Sequence, residues 1–167
     1  DLERGGRARV LELYGDLPAE VQDLALARGA GCKIVLATNV AESSVPVPGV
    51  TAVVDMGLVR ILEHDPAVAL DRLRPKRISA AAAEQRKGRA GREAEGLCLR
   101  LFSLAEGRAL APFERPAIAR ADLTGAVLEL MAWGERDLER FPWFERPSPA
   151  ALAAALALAR ALGAVDT

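Results

Sequence analysis

Four short, mostly apolar runs separated by helical or turn-rich segments constrain the fold of this chain more than any other feature. They occupy residues 10–14, 33–37, 50–56 and 97–101. The run at 33–37 lacks polar alternation, which is typical of a parallel strand covered on both faces. Because strands that alternate with helices indicate an α/β domain, we predict a parallel sheet with flanking helices and place the end of this domain at residue 104.

Start and stop residues predict where the helices of this domain lie. Asp16 is predicted to cap a first helix that stops at Gly29, and Ser79 to cap a helix that runs through an arginine-rich segment. Between residues 58 and 78, two extended stretches flank a turn signal at residues 64–66. This pattern predicts a projecting β-hairpin.

The last part of the chain has the periodicity of amphipathic helices. Apolar residues recur at helical spacing between Asp122 and Gly134, and again between Ser148 and Gly163, where Ser148 suits an N-cap and Pro149 a first helical turn. We therefore predict a separate, mainly helical module over residues 105–167, which follows the α/β domain at residues 1–104.

Several classes of protein are disfavoured by what the sequence lacks. There is no apolar stretch of the ~18 residues that a membrane span needs, and no basic-then-apolar leader, so we expect a cytoplasmic protein without membrane contact. Cys32 and Cys98 lie in apolar runs and are predicted to be buried thiols rather than disulfide partners or metal ligands. Since the chain begins with Asp1 near a strand, it is expected to be a fragment that is incomplete at its N-terminus.

The net charge of −1 conceals a strongly basic segment. Between residues 72 and 92, eight basic residues accompany one acid, Glu84, so this window carries +7 and the rest of the chain −8. One face of the fold should be locally positive, which suits either a solvated surface or phosphate binding.

Residues 85–92 (QRKGRAGR) carry the clearest chemical signal. On a helix, Gln85, Arg89 and Arg92 stand at i, i+4 and i+7, so an amide and two guanidinium groups share one face that could grip a polyphosphate. Gly88 and Gly91 would each cost about 1 kcal/mol inside a helix, which makes sense where a ligand approaches the backbone or the helix ends.

These residues resemble a known family. Residues 85–92 fit the Q-R-x-G-R-x-G-R motif of DEAH-box helicases of superfamily two, with Lys87 where alanine is common. Residues 37–44 (ATNVAESS) are close to the family's A-T-N-I-A-E-T-S and follow a predicted strand, with Ser43 replacing threonine. Residues 13–18 also resemble the helicase segment before the second helix. Residues 123–134, Trp143 and residues 147–163 resemble the stretch that follows the motor domain in HrpB-type proteins. The resemblance implies a second RecA-like domain followed by a winged-helix-like extension, without the first RecA-like domain.

The resemblance implies catalytic and ATP-contacting roles for Arg89 and Arg92, as arginine fingers, and for Gln85, which would help to place the γ-phosphate and the attacking water. Asp55 and Gly57 would bind the nucleotide near its ribose. The residues that would contact nucleic acid are Thr38, Asn39, Glu42 and Ser44, of which the last two resemble positions that couple the RNA and nucleotide sites. Arg86 points away from the shared face and is expected to form a salt bridge within the domain.

The sequence contains no G-x-x-x-x-G-K-[ST] loop and no Asp-Glu-x-His motif. By the resemblance, the missing first RecA-like domain would hold ATP and Mg²⁺, while this chain alone would bind neither and would not hydrolyse ATP. Its expected partners are that domain and single-stranded RNA, bound without sequence preference. Two alternatives stay open: a non-catalytic nucleic-acid- or protein-binding module that retained the fold, and a DNA rather than an RNA helicase.

Overall fold

The computed structural model describes residues 8–29, 31–43, 46–65 and 70–165. In the described part of the first hundred residues, helices alternate with strands except between residues 52 and 77, where three strands follow one another. In chain order the elements are β1 (Ala8–Leu13), α1 (Ala19–Leu26), β2 (Cys32–Ala37), α2 (Val40–Ser43), β3 (Ala52–Asp55), β4 (Leu58–Asp65), β5 (Leu70–Arg77), α3 (Ala80–Ala90), β6 (Leu97–Arg100), α4 (Leu104–Arg108), a 3-10 helix (Ala117–Ala119), α5 (Thr124–Ala132) and α6 (Pro149–Ala161).

The strands pair in twos. β1 pairs with β2 and β3 with β6, both in parallel, with Val10 opposite Ile34 and Val54 opposite Leu99. The predicted parallel α/β class is therefore confirmed. β4 and β5 form a third two-stranded sheet where the hairpin was predicted, and part of the predicted turn, from residue 66 onward, lies outside the described residues.

The chain divides into two compact units that do not follow chain order. The first contains Asp1–Arg60 and Pro75–Glu114, and the second contains Ile61–Arg74 and Arg115–Thr167. Residues 58–60 of β4 and 75–77 of β5 thus belong to the first unit, and the other residues of these two strands belong to the second. The domain division at residue 104 stays a prediction.

In the first unit, α3 packs against β3 and β6 through small side chains. Ala82, Ala83 and Ala90 are buried, and the first two form a small core cluster with Ile78. Gly96 allows the return to β6, because a Cβ there would lie 2.2 Å from the Ala90 carbonyl oxygen. Within the described residues, the prediction that β2 is covered on both faces is wrong, since Leu36 is 54% exposed.

The second unit has a larger apolar core between α5 and α6. Its buried members are Leu123, Val127, Leu138, Leu152 and Ala155. Trp143 packs against this cluster, and its indole Nε1 donates to the Leu138 carbonyl at 2.9 Å. None of the helices in the described part of the chain is long and apolar enough to cross a membrane.

Three local predictions are wrong. Asp16 does not cap α1; the chain first turns so that the Leu17 amide bonds to the Tyr14 carbonyl, and Pro18 then takes the N-cap position without a side-chain cap. The helix also ends before Gly29, since Ala27 is its C-cap. Cys32 is exposed rather than buried because it is the first residue of β2, at the strand's end, whereas Cys98 is half-buried; both thiols are free.

Candidate functional site on the arginine-rich helix

A buried serine fixes the start of α3. The Ser79 hydroxyl accepts a hydrogen bond from the Ala82 amide at 3.1 Å, as predicted for an N-cap, and the Glu114 carboxylate accepts one from the Ser79 amide at 2.8 Å. The helix ends at Ala90, with Gly91 as its C-cap. Arg92 therefore lies just beyond the helix, so the predicted i, i+4, i+7 face is interrupted before its last member.

An open cleft of about 340 Å³ nevertheless brings the three predicted catalytic residues together. Its lining residues are Glu42, Gln85, Gly88, Arg89 and Arg92. The side chains of Gln85 and Arg92 are exposed and donate no hydrogen bond to any residue that the structure describes. A Cβ added to Gly88 would meet nothing within 4 Å. The cleft thus presents an uncommitted amide and guanidinium beside accessible helix backbone, which suits the oxygens of a phosphate chain.

Arg89 differs from Arg92 because it already has a partner. Its Nε donates to the Glu42 carbonyl oxygen at 3.0 Å, and its Nη2 donates to the same oxygen. Glu42 lies in α2, so this two-pronged contact joins α3 to the segment that follows β2.

Arg86, one turn earlier, bridges two carboxylates. Its Nε donates to Glu42 Oε2 and its Nη1 to Asp55 Oδ1, both at 2.9 Å, and Nη1 also donates to the Leu58 carbonyl at 3.1 Å. The predicted salt bridge within the domain is thereby confirmed. Burial disfavours the charged guanidinium, but the hydrogen bonds that it donates to Glu42 and Asp55 outweigh this and raise the pKa of Arg86 above its ordinary value.

Asp55 and Gly57 lie behind the cleft rather than on its wall. The Asp55 side chain is 1% exposed, and its Oδ1 also accepts from the Gly57 amide at 2.9 Å. Gly57 has φ of 70°, and a Cβ there would lie 2.6 Å from the Phe102 ring, so the turn requires glycine. Asp55 and Gly57 each have a structural role in this turn, and their contact with a nucleotide stays a prediction.

The predicted nucleic-acid contacts lie where β2 gives way to α2. Thr38 and Asn39 are exposed, and among the described residues their side chains form no hydrogen bond. The Thr38 amide continues the pairing with β1 by donating to the Leu13 carbonyl at 3.1 Å. Ser44 lies outside the described residues. Glu42, predicted with this group, has its carboxylate bound to Arg86 instead of facing solvent alone.

The site has no visible place for a divalent cation in the described part of the chain. No group of three or more His, Cys, Asp or Glu side chains there could hold a metal ion. Glu42 supplies the carboxylate on the wall of the cleft, and Arg86 neutralises it. A Mg²⁺ ion, which takes carboxylate and phosphate oxygens, would find no uncommitted carboxylate among these lining residues.

Sequence reasoning missed the pairing of Arg86 with Asp55. The two residues are 31 positions apart, and nothing local joins them. The available signal was an acid that ends an apolar strand, because a carboxylate at such a position needs a partner once it is buried.

Comparisons with known proteins agree with the two motifs. Residues 2–94 match the family model described as "Helicase conserved C-terminal domain". The chain is 43% identical over 135 residues to a human protein named "Probable ATP-dependent RNA helicase DHX34", with 81% of this chain and 12% of that protein covered. It is 39% identical over 158 residues to "ATP-dependent RNA helicase HrpA" of Escherichia coli, with 95% and 12% covered.

The fold also matches a solved structure. The crystal structure of the E. coli DExH-box NTPase HrpB is similar with a TM-score of 0.87 and 36% identity, covering 97% of this chain and 20% of that one. The resemblance predicted from the sequence is therefore confirmed. The chain spans about an eighth of the length of the two curated relatives above.

Proposed function

Because this chain belongs to the family of helicase conserved C-terminal domains, we propose that it is the second RecA-like motor domain, with the start of a winged-helix-like extension, of a DEAH-box ATP-dependent RNA helicase. Its role is to complete an ATP hydrolysis site whose other half lies in a first RecA-like domain of the same polypeptide. The observation that carries this proposal is the cleft in which Gln85, Arg89 and Arg92 converge around Gly88.

The chemistry follows from what those side chains can donate. During phosphoryl transfer, negative charge spreads over the equatorial oxygens of the transferred group, and preorganised cationic donors stabilise it. Within the described residues, the guanidinium N–H donors of Arg92 are all available. The guanidinium of Arg89 would add a second set of donors. Gln85 would orient the attacking water or the γ-phosphate with its amide. Mg²⁺, when bound, would neutralise phosphate charge from the first domain, since the lining residues of this cleft offer it no uncommitted carboxylate.

RNA would be bound at the β2–α2 junction. Thr38 and Asn39 expose a hydroxyl and an amide next to backbone groups, which suits contacts to sugar and phosphate that do not read sequence. The basic window at residues 72–92 would add a general attraction. Binding to single-stranded RNA should therefore be weak, independent of sequence and reduced by salt, as measured by titrating labelled RNA at several salt concentrations. A strong sequence preference, or indifference to salt, would contradict these backbone contacts.

The decisive experiment compares arginines in the complete natural protein that carries this chain. Arg89→Ala and Arg92→Ala should each lower RNA-stimulated kcat by about a thousandfold, the range known for arginine fingers, while ATP binding changes far less. Arg89→Lys should recover little because an ammonium lacks the fork. Lys87→Ala is the matched control: its side chain is 60% exposed and pairs with Glu84 at 3.6 Å.

Phosphate release, nucleotide binding and a thermal melt should be measured together on each variant. If the Arg89→Ala and Arg92→Ala proteins hydrolysed ATP normally, this domain would take no part in hydrolysis. That result would favour the alternative, a non-catalytic binding module that retained the fold. The 167-residue chain alone should release no phosphate above background, even with excess RNA. Turnover of about 1 per second or faster by the chain alone would show that its domain type is misassigned.

A further inference from the structure

Glu42 is held by two arginines at once, through different atoms. Arg86 binds its carboxylate, while Arg89 binds its main-chain carbonyl with two donors. The two arginines are three positions apart on α3, so their side chains are neighbours on the helix surface. A displacement of Glu42 would therefore move the atom that holds Arg89.

The other end of this chain of contacts is buried. Arg86 also binds Asp55, whose carboxylate is 1% exposed and whose Oδ1 is fixed by the Gly57 amide as well. Asp55 ends β3, whereas Glu42 follows β2. Among the described strands no backbone pairing joins the β1–β2 pair to the β3–β6 pair. Arg86 thus ties together two parts of the first unit that the sheet does not connect directly.

We infer that Arg86 is a positioning residue, which holds Glu42 against the anchored Asp55 so that the Glu42 carbonyl fixes the Arg89 guanidinium beside the cleft. This inference rests on the proposed function, because it assigns Arg86 a part in the same hydrolysis. Arg86 is not among the residues that line the cleft; its effect passes through Glu42 to Arg89.

The competing explanation is that Arg86 only stabilises the fold. The energetics of buried ion pairs argue against it. Buried ion pairs often stabilise a fold no better than apolar side chains of similar volume, so stability alone gives little reason for this arrangement. Without Arg86, the two carboxylates that now share one guanidinium would lose that shared cation. Glu42, on the short helix α2, would be the one to move, because Asp55 is held by the turn at Gly57.

A double-mutant cycle in the complete natural protein separates the two explanations. Arg86→Ala should lower kcat by about a hundredfold, the loss expected from a small misplacement of a catalytic group, with little change in nucleotide binding. In an Arg89→Ala background, the same change should lower kcat by less than about threefold further, because residues that act as one unit are not additive. Losses that multiply in the double variant would overturn the inference.

The matched control is Arg100→Ala. Arg100 also binds α3, through the Ala83 carbonyl at 3.3 Å and the Glu84 carboxylate at 2.7 Å, but it has no contact with Glu42 or Arg89. Its removal should leave kcat within about threefold of the parent, as expected for a partly exposed pair. A loss of kcat equal to that of Arg86→Ala would assign both arginines a structural role and overturn the inference.

A milder variant keeps the test decisive if Arg86→Ala does not fold. Glu42→Gln preserves the carbonyl and leaves the pair between Arg86 and Asp55 intact, while it weakens the contact with Arg86. It should lower kcat at saturating RNA, and this loss should also vanish in the Arg89→Ala background. Unchanged kcat in Glu42→Gln would overturn the inference, whereas unchanged kcat in Arg89→Ala itself would instead remove the proposed function on which it rests.

Discussion

Helices α3 and α6 are both rich in alanine and both begin at a serine N-cap, yet they are held in place by different forces. In the second unit, α6 buries Leu152, Ala155 and Ala159 in an apolar core. In the first unit, α3 buries only alanines, and its second half is fixed by the hydrogen bonds of Arg86 and Arg89.

The two kinds of contact restrain a helix in different ways. Apolar burial is non-directional, so it stabilises α6 without fixing any polar atom. Charged hydrogen bonds are directional and short, so they define where each guanidinium of α3 lies. The phosphate site proposed for α3 would need the second kind of restraint, and the apolar cluster around Ile78 is correspondingly small.

The largest expected effect on stability tests the apolar side of this comparison. Leu152→Ala should lower the free energy of unfolding of the chain by about 3 kcal/mol, because Leu152 is 5% exposed and the change leaves a cavity. Leu158→Ala, in the same helix but 39% exposed, should cost much less. Urea denaturation followed by tryptophan fluorescence measures both, since Trp143 packs on this core. Equal losses would mean that α6 is not held by the burial of Leu152.

The starts of α3 and α6 were both predictable from the sequence. Ser79 and Ser148 were correctly identified as N-caps, because a cap is a local signal that involves residues within one turn. The wrong assignment of Asp16 has a local cause too: a turn at residues 14–17 comes before the helix and delays its start to Ala19.

The sequence predicted which side chains lie at the cleft, but not which residues they pair with. The motif at residues 85–92 identified the three side chains that converge on the cleft. Arg86, by contrast, finds its partners 31 and 44 residues away, and pairings at that distance depend on how strands and helices assemble. The unequal state of Arg89 and Arg92 could not be predicted either, since it depends on a main-chain carbonyl that has no sequence signal.

The two serine N-caps of α3 and α6 differ in burial, and this difference tests the comparison further. Each hydroxyl accepts from an amide at 3.1 Å, but Ser79 is 3% exposed and Ser148 is exposed. Ser79→Ala should therefore cost about 2 kcal/mol, because the Ala82 amide loses its partner away from water, and Ser148→Ala about 1 kcal/mol. Equilibrium unfolding of both variants decides this. Ser148→Asp should restore the loss at that position, and a larger loss at Ser148 than at Ser79 would refute the role of burial.

Gly88 tests whether α3 trades stability for access to its backbone. Gly88→Ala should stabilise the chain by up to about 1 kcal/mol, because alanine favours the helix and its Cβ would meet nothing within 4 Å. The same change should lower RNA-stimulated turnover of the complete protein, since the methyl group would project into the cleft. Gly125→Ala in α5, where a Cβ also has open space, is the control that should leave turnover unchanged. Full activity in Gly88→Ala would argue against close approach of a ligand to this backbone.

The smallest expected effect concerns the start of α5, where the Asp122 carboxylate precedes the N-cap Leu123 and accepts from the first residue of the helix. Asp122 Oδ1 accepts from the Thr124 hydroxyl at 2.7 Å and from the Thr124 amide at 3.0 Å. The hydrogen bond from the Thr124 side chain is the main reason that the pKa of Asp122 is lowered.

Since the folded-state pKa of Asp122 is the lower one, the carboxylate stabilises the fold above about pH 4, the ordinary value for an unfolded aspartate, and this contribution is lost as the pH falls through the folded-state value. Asp122→Asn should therefore cost about 0.5 kcal/mol at pH 7, after allowance for solvent screening, and progressively less below about pH 4. Asp16→Asn is the matched control, because Asp16 does not cap its helix. Unfolding free energies measured from pH 7 down to pH 3 would contradict this account if the cost of Asp122→Asn stayed constant, or if Asp16→Asn followed the same course.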